Sequence, residues 1–515
     1  KRILMHFNIQ INEKYKVEVE KKDKKFEKLD KEFNLKNIFL DDSRIVETMS
    51  YPIKISNFDL KKLGALESGR ISLCSNSKGM IINLGSNNFV FIDNESNFEF
   101  KIPLRKNVID KMKDFEILDL YCDNTMLNGN VVFYQFSSFH AIEEYDFQNK
   151  DKDLEDKNSK IYESTFSKVT LSLDKKKVIN TENIFDFEHK NQNSAGRINR
   201  LNENEFILTW SDPTDYESTI EKKVFLAQNK DYLEGKIISL NLMTKEYDFF
   251  SIGHRNPQGI FIDENNNIFS TEHGPKGGDE INLVLKDKNY GWPITSDGVG
   301  YASYKKFYGE LGDHSDNFEL PIFSWNPGIG ISSLIKVNSE KFYRWKDDLL
   351  VTSLKNKTIY RVKLKFSPIA VRYVESIWVG KRLRDLTHFN EKIYLVSDDK
   401  HLIELDTDID SQNRKFVDSR LFYCLTCHHF EKTNSSHTAP SFVGIIGRKA
   451  GSDEGYDYSN SLKNLDIEWD FNSIVKYINN PDAFAPGTYK KKGVKDINQS
   501  IKYVEKLYQL PEIKK

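Results

Sequence analysis

Residues 252–293 read IGHRNPQGIFIDENNNIFSTEHGPKGGDEINLVLKDKNYGWP, and the texture of this stretch decides the fold. Short apolar runs such as GIFI, IFST and INLV are separated by clusters of Asn, Asp, Gly and Pro. This is the pattern of strands joined by tight turns, with no room for a helix between them. The Gly-Pro and Gly-Gly pairs pin the turns, and Arg255, Asn256, His273 and Asp279 are the polar groups those turns deliver.

The same texture extends in both directions, from about residue 41 to 410, in runs such as RISL, GMIINL, NFVFID, NVVFYQF, FILTW, DDLLVT, TIYRVKL and KIYLVS. They show the period-two alternation of half-buried strands. So many short antiparallel strands must pair without exposing edges, and radial repetition into a β-propeller does this; six blades of roughly sixty residues fit the length. With no strong internal repeat motif, periodicity alone leaves a barrel or a double sandwich as open as the propeller. Residues 1–40 are dense in charge and read as a solvated extension, and 411–420 (SQNRKFVDSR) as a polar linker. In 421–515, FNSIVKYINN and INQSIKYVEKLYQL space their apolar residues three and four apart, so a small all-α domain is expected to close the chain.

Composition limits the function. The 515 residues carry 75 Lys plus Arg against 77 Asp plus Glu, a net charge of -2, which provides no field to gather nucleic acid. No run of eighteen apolar residues occurs, so no membrane span is expected. The opening KRILMHFNIQ is too weak for a signal peptide, so any targeting segment would precede residue 1. There are four cysteines. Cys74 and Cys122 read most simply as free core or loop thiols, with a mutual disulfide as the lesser alternative.

The other two lie in LFYCLTCHHF, a C-x-x-C-H motif. Two thiols one helical turn apart can add to the vinyl groups of a porphyrin, and the next residue presents an imidazole to iron, so Cys424 and Cys427 are expected to carry haem c and His428 to bind its iron. A thioredoxin-like pair lacks its strand-helix context, and zinc lacks a second Cys/His pair. The Pro440 carbonyl can accept the imidazole Nδ1 proton. The segment 421–510 resembles the class I cytochrome c family in CLTCHH, HTAPSFVGIIGRKAGSDEGYDYSNSLK, the tryptophan of DIEWDFNSIVKYINNPDAFAPGT, and SIKYVEKLYQL. The resemblance implies that Pro440 accepts the proton of His428, that Arg448, Tyr458 and Trp469 lie near the haem propionates, and that His437 ties loops together. It also implies maturation outside the cytoplasm, in the periplasm or its equivalent.

The strand-rich region in turn resembles the soluble quinoprotein glucose and aldose dehydrogenases, six-bladed propellers that bind pyrroloquinoline quinone (PQQ) beside calcium. The residues that carry this are HRNPQG, EHGPKGGDEINL, NYGWP, LLVTSLKNKTIYRVKL and KRLRD. The resemblance assigns Arg255 and Asn256 to the quinone side and the Gly274 and Pro275 carbonyls to calcium, with Asp279 in the same turn. It gives Lys355, Arg382 and Arg384 to the cofactor's carboxylates and quinone oxygens. Two guanidiniums two residues apart in a strand face the same way, which suits a multiply carboxylated ligand as well as a solvated charge pair. One departure stands out: the family's general base is a histidine in an H-x-G-G-R type segment, and the matching NSAGR has Asn193 there, an amide too weakly basic for the role. Gln192 replaces the aspartate expected before it, and His189 lies four residues upstream.

These readings lead to an extracytoplasmic oxidoreductase in which a PQQ-dependent sugar or alcohol dehydrogenase-like propeller passes electrons to its own haem c. From there they would go to another cytochrome or a terminal oxidase. The alternative is a catalytically inactive propeller serving as a docking platform for the cytochrome segment. Methionine is not expected as the sixth iron ligand. The chain has six methionines, none beyond Met243, and Lys490 stands at the methionine's position in PGTYKKK. Lys490, Lys491, Lys492, Tyr489, His429, His437, water or an open site remain.

Overall fold

The computed structural model describes residues 40–407 apart from 47, 67–68, 94–96, 104–114, 141–161, 190–192, 213–224 and 300–317, and further on 424, 428, 439–453, 456–489, 493–494 and 496–508. Nearly all of the charged extension lies outside the described residues. So do the linker 411–420, Gln192, Cys427, His429, His437 and Lys490 to Lys492.

The described strands form six sheets of four or five strands, arranged as the blades of a β-propeller. The first strands of successive blades are Ser72–Ser75, Glu116–Leu127, Ile198–Asn202, Pro257–Ile262, Ile331–Lys336 and Leu383–Phe389. Each contacts the next, and the last returns to the first, which closes the ring. The sixth blade is composite: Leu383–Phe389, Lys392–Ser397 and His401–Asp406 are joined by Ile53–Asp59 and Leu40–Val46 from the other end of the chain. Ile53–Asp59 pairs antiparallel with His401–Asp406, from Lys54 opposite Asp406 to Asp59 opposite His401.

The expected period-two alternation fails in the inner strands. Met80–Asn83, Ile268–Glu272 and Leu349–Ser353 are buried at every position. Blades pack face to face, so a central strand has a neighbour on both sides, and only outer strands such as Asn97–Lys101 face water. The apolar core is accordingly divided among the interfaces, with Phe89, Phe133 and Val169 between the first two blades and Phe206, Trp210 and Phe166 between the second and third.

Between the first and second blades Cys74 and Cys122 form a disulfide, which corrects the expectation of free thiols. Each stands on the innermost strand of its blade, and ring closure brings those strands together although 48 residues separate them in sequence.

The described part of the C-terminal segment carries the helices Asn460–Lys463, Phe471–Asn479, Pro481–Phe484 and Ile497–Leu507 after a stretch of turns. Phe471–Asn479 begins with a capping box in which the Asp470 side chain accepts from the Ser473 amide at 2.7 Å, and it buries Ile474 and Val475. It packs against Ile497–Leu507, which buries Val504 and Leu507. Both helices agree with the spacing of their apolar residues.

Candidate functional site

The propeller site is organised by the end of strand Ile268–Glu272. Glu272 is 3% exposed, and its carboxylate accepts from the Asn256 amide at 3.1 Å, from the Arg255 amide, and from His254 Nδ1 at 3.0 Å. One buried acid thereby fixes the HRN turn. The Arg255 guanidinium reaches the carbonyls of His273 and Gly274 at 3.1 and 2.9 Å and lies over the Trp292 ring. The following turn needs glycine: Gly277 and Gly278 have φ of 90° and 71°, and a Cβ on Gly274 would stand 2.1 Å from the Gly277 carbonyl. Asp279 then collects the amides of Gly274 at 3.1 Å and Ile331 at 3.0 Å, tying the fourth blade to the fifth. Burial alone would raise its pKa, but hydrogen bonding and charge from His273, with the two amides, hold it below the usual carboxylate value.

Around this turn the other residues assemble. Asn256 Oδ1 accepts from Gln258 Nε2 at 2.8 Å and from Ser194 Oγ at 3.2 Å. Gln258 Oε1 faces two guanidiniums, those of Arg70 and Arg384, each at 3.4 Å. Arg384 forms a two-pronged pair with Asp398 at 2.9 and 2.8 Å, and Arg382 approaches the same carboxylate at 3.6 Å, so the two arginines do face the same way. Burial would raise Asp398, but Arg384 outweighs it and keeps the pKa low. Lys355 Nζ donates to the Gly328 carbonyl at 3.3 Å, and Gly328 packs against the Asp279 carboxylate. Pro275 follows Gly274 in the turn, against Gly298. Hydrogen bonds and close packing thus join Arg255, Asn256, Gly274, Asp279, Lys355, Arg382 and Arg384, contributed by the fourth, fifth and sixth blades and the turn before them.

Asn193 has a different role from the one its alignment suggests. It is 1% exposed, its Oδ1 accepts from the amides of Ala195 and Ser211, both at 3.1 Å, and its Nδ2 donates to the Thr209 carbonyl at 3.2 Å. It braces its own loop. His189 is also buried, with Nε2 bonded to Ser164 Oγ at 2.8 Å and its ring stacked on Tyr162.

Sequence reasoning missed several members. Gln258 lies inside HRNPQG and Asp385 inside KRLRD, but no spacing reveals that Asp385 and Asp119 share Arg197, at 3.2 and 2.9 Å. Burial, with Asp385 adding to it and Arg197 opposing it, pushes Asp119 up to about 6. Arg70 had no signal at all.

In the C-terminal segment the His428 amide donates to the Cys424 carbonyl at 3.0 Å, one helical turn back. His428 Nδ1 lies 2.7 Å from the Pro440 carbonyl, and Phe442 stacks on the imidazole with centroids 4.2 Å apart. Arg448 donates to the Ser441 carbonyl at 2.6 Å and pairs with Asp453 at 3.2 Å. Tyr458 and Trp469 are buried at 6% and 7% exposure, with Trp469 against Tyr477 and Phe484. Tyr489 is 63% exposed.

These residues suit the groups that the two resemblances imply. Arg382, with a side chain 46% exposed, and Lys355, held by one carbonyl, are cations with charge to offer an anionic ligand, and Arg255 Nε is buried with no hydrogen-bond partner among the described atoms. Among the described residues no three His, Cys, Asp or Glu side chains gather as metal ligands. Carbonyl oxygens are the kind of donor a hard cation accepts, and that of Gly274 is engaged by the Arg255 guanidinium.

Comparison with known proteins bears on the family and the fold. The profile of the glucose/sorbosone dehydrogenase family matches residues 116–404, more than half of the chain. The aldose sugar dehydrogenase YliI of Escherichia coli is 32% identical over 188 residues, 34% of this chain and 50% of that protein, and quinoprotein glucose dehydrogenase B of Acinetobacter calcoaceticus is 29% identical over 26% of this chain and 41% of its own length. The chain thus spans about half the length of these curated relatives. The apo crystal structure of the soluble E. coli aldose sugar dehydrogenase superposes with a TM-score of 0.53 at 21% identity, over 69% of this chain and all of that one. Cytochrome c of Gibberella zeae is 37% identical over 86 residues, 16% of this chain and 81% of that protein. Through residues 116–404 the chain belongs to the glucose/sorbosone dehydrogenase family, and it carries in addition a segment of the cytochrome c family.

Proposed function

We propose that this protein is an extracytoplasmic quinoprotein dehydrogenase for a sugar or related alcohol that delivers its electrons to a haem c on the same chain. One observation carries the reading: Arg255, Asn256, Gly274, Asp279, Lys355, Arg382 and Arg384, spread over 130 positions, meet in a single network at the propeller. When bound, the quinone would supply the two-electron acceptor for substrate oxidation and the haem a one-electron carrier toward another cytochrome or a terminal oxidase. Lys355, Arg382 and Arg384 would hold the quinone's anionic oxygens, and Arg255 and Asn256 would orient it. The carbonyls of Gly274 and Pro275 would support calcium, with Asp279 fixing the Gly274 peptide. In the other segment Cys424 and Cys427 would bond the porphyrin. Pro440 would take the Nδ1 proton of His428 and so direct Nε2 to iron, with Arg448, Tyr458 and Trp469 toward the propionates. The Cys74–Cys122 disulfide agrees with an oxidising compartment, and no described helix is long and apolar enough to cross a membrane.

The experiment is reconstitution with PQQ and calcium, followed by a spectrum. Binding at micromolar concentration, with haem reduction on adding a sugar or alcohol, is expected; no quinone binding would overturn the reading. Asn193 favours a second reading, since it is committed to its loop and no histidine replaces it there. In that case the propeller is a docking platform, quinone binds without turnover, and the haem stays oxidised with every substrate. At the sixth iron position the absence of any methionine in the segment predicts a ferric spectrum without the near-infrared band of a Met-ligated haem. Lys490 or an open site is the arrangement we favour.

A further inference from the structure

We propose that Arg70 is a positioning residue of the propeller site, a buried guanidinium that holds the Asn193–Ala195 loop and, through Gln258, sets the side chains of Asn256 and Arg384. The inference rests on the reading above for the ligand these side chains meet. Arg70 is 7% exposed. Its Nη1 donates to the carbonyls of Ser194 at 3.1 Å and Ala195 at 3.0 Å, and its Nη2 to Gln258 Oε1 at 3.4 Å. Other buried arginines here have acids: Arg197 has Asp119 and Asp385, and Arg361 has Glu375 at 2.7 Å. Among the described residues no carboxylate forms a salt bridge with the Arg70 guanidinium, Glu116 accepts only from the Arg70 backbone amide at 3.1 Å, and the Arg70 Nε is buried without a partner. Burial, together with the charges of Arg197 and Arg384, lowers its pKa to about 9.

What it holds is specific. With Oε1 drawn toward two guanidiniums, the Gln258 amide can face only one way, and its Nε2 must point to the Ser194 carbonyl at 2.6 Å and Asn256 Oδ1 at 2.8 Å. The oxygen of Asn256 is thereby engaged twice, by Gln258 and Ser194, and Asn256 meets a ligand as an N–H donor. Without Arg70 the glutamine amide can turn over, Asn256 can follow, and Arg384 loses the neighbour that shares its acceptor.

The test uses the full haem-loaded chain with Arg70→Met, Arg70→Lys, Gln258→Leu and the Arg70→Met/Gln258→Leu double variant. Amide hydrogen exchange without added quinone is read over 193–197 and 256–260, with 349–364 as the distant control. Exchange in the first two segments should rise about tenfold in Arg70→Met, as expected when a charged hydrogen-bonding group is withdrawn, while the control is unchanged. Arg70→Lys should restore part of the protection, because an ammonium cannot span two carbonyls and the glutamine. The PQQ dissociation constant with calcium should rise about tenfold in Arg70→Met and no further in the double variant, since both changes break one relay. Unchanged exchange, full rescue by lysine, or additive losses in the double variant would overturn the proposal. Should Arg70→Met not fold, the Arg70→Lys exchange pattern decides. Should the unmodified protein bind no quinone, the functional reading falls, and the exchange data still settle the role of Arg70.

Discussion

The two regions of this molecule store chemistry in opposite ways. In the C-terminal segment the residues of interest run from Cys424 to Trp469, and the decisive contact, His428 to Pro440, spans twelve positions. In the propeller they run from Arg70 to Asp398, and no blade contains enough of them to bind anything. A helix turn can place two thiols and an imidazole by itself, whereas a ring of sheets creates a site only after its blades have met. The difference implies that damage to the first site should be local and complete, and damage to the second graded and shared.

The largest effect expected from this contrast is at the haem. Replacing Cys424 and Cys427 together with alanine should remove all haem that survives acid-acetone extraction, since thioether bonds are the only attachment that solvent does not undo, while propeller stability measured by thermal unfolding should hold. Retained haem in the double variant would break the comparison at once. Next is the link between blades: Cys74→Ala should cost about 4 kcal/mol, the chain-entropy value for closing a loop of this length, visible as a lower Tm that reductant no longer changes. Asn193→His comes third. It should not increase sugar oxidation, because the imidazole must displace an amide with three internal partners, and a loss of about 2 kcal/mol in denaturant unfolding is expected. A rise in sugar oxidation instead would show that the loop opens to admit a base.

Lys355→Ala and Arg382→Ala test whether the propeller's charges act as a set. Each should weaken PQQ binding about tenfold by titration, and neither should abolish it, because the others remain. The smallest effect concerns Lys236, which is fully buried, donates to the carbonyls of Leu226 and Glu234 at 2.8 Å each, and has its pKa lowered by burial to about 8. Between that value and its ordinary 10.5 the unfolded chain holds a proton that the folded one has released, so this residue's contribution to stability rises with pH through the window. Lys236→Met should remove that rise; an unchanged slope would mean that the ammonium is solvated.

The same contrast explains what could be read before the fold was known. Short strands and their turns reveal a β architecture, and CLTCHH announces its chemistry because every partner is close in sequence. In the propeller, Arg255, Lys355 and Arg384 were found through resemblance, since their meeting depends on how six sheets close. Arg70 and Asp119 stayed hidden because each looks, in sequence, like an ordinary strand-edge charge. Asn193 was named only as an amide unfit for the base, and its bracing of its own loop stayed hidden, for an alignment compares positions and says nothing of which way an amide points. The alternation expected for half-buried strands failed where blades cover both faces, and Cys74 and Cys122 read as separate thiols because adjacency across a ring leaves no local trace.

The sixth blade has a consequence for how the molecule is made. Its strand Ile53–Asp59 appears early in synthesis and its partner His401–Asp406 late, so some 340 residues must be translated while one hydrogen-bonding edge waits. A chain interrupted before residue 406 can neither close its ring nor possess a haem motif, because the motif follows the clasp. Any chain long enough to carry the C-x-x-C-H motif has thus already been supplied with the strands that shut the propeller, and the motif serves as a mark of completeness for the ring that precedes it.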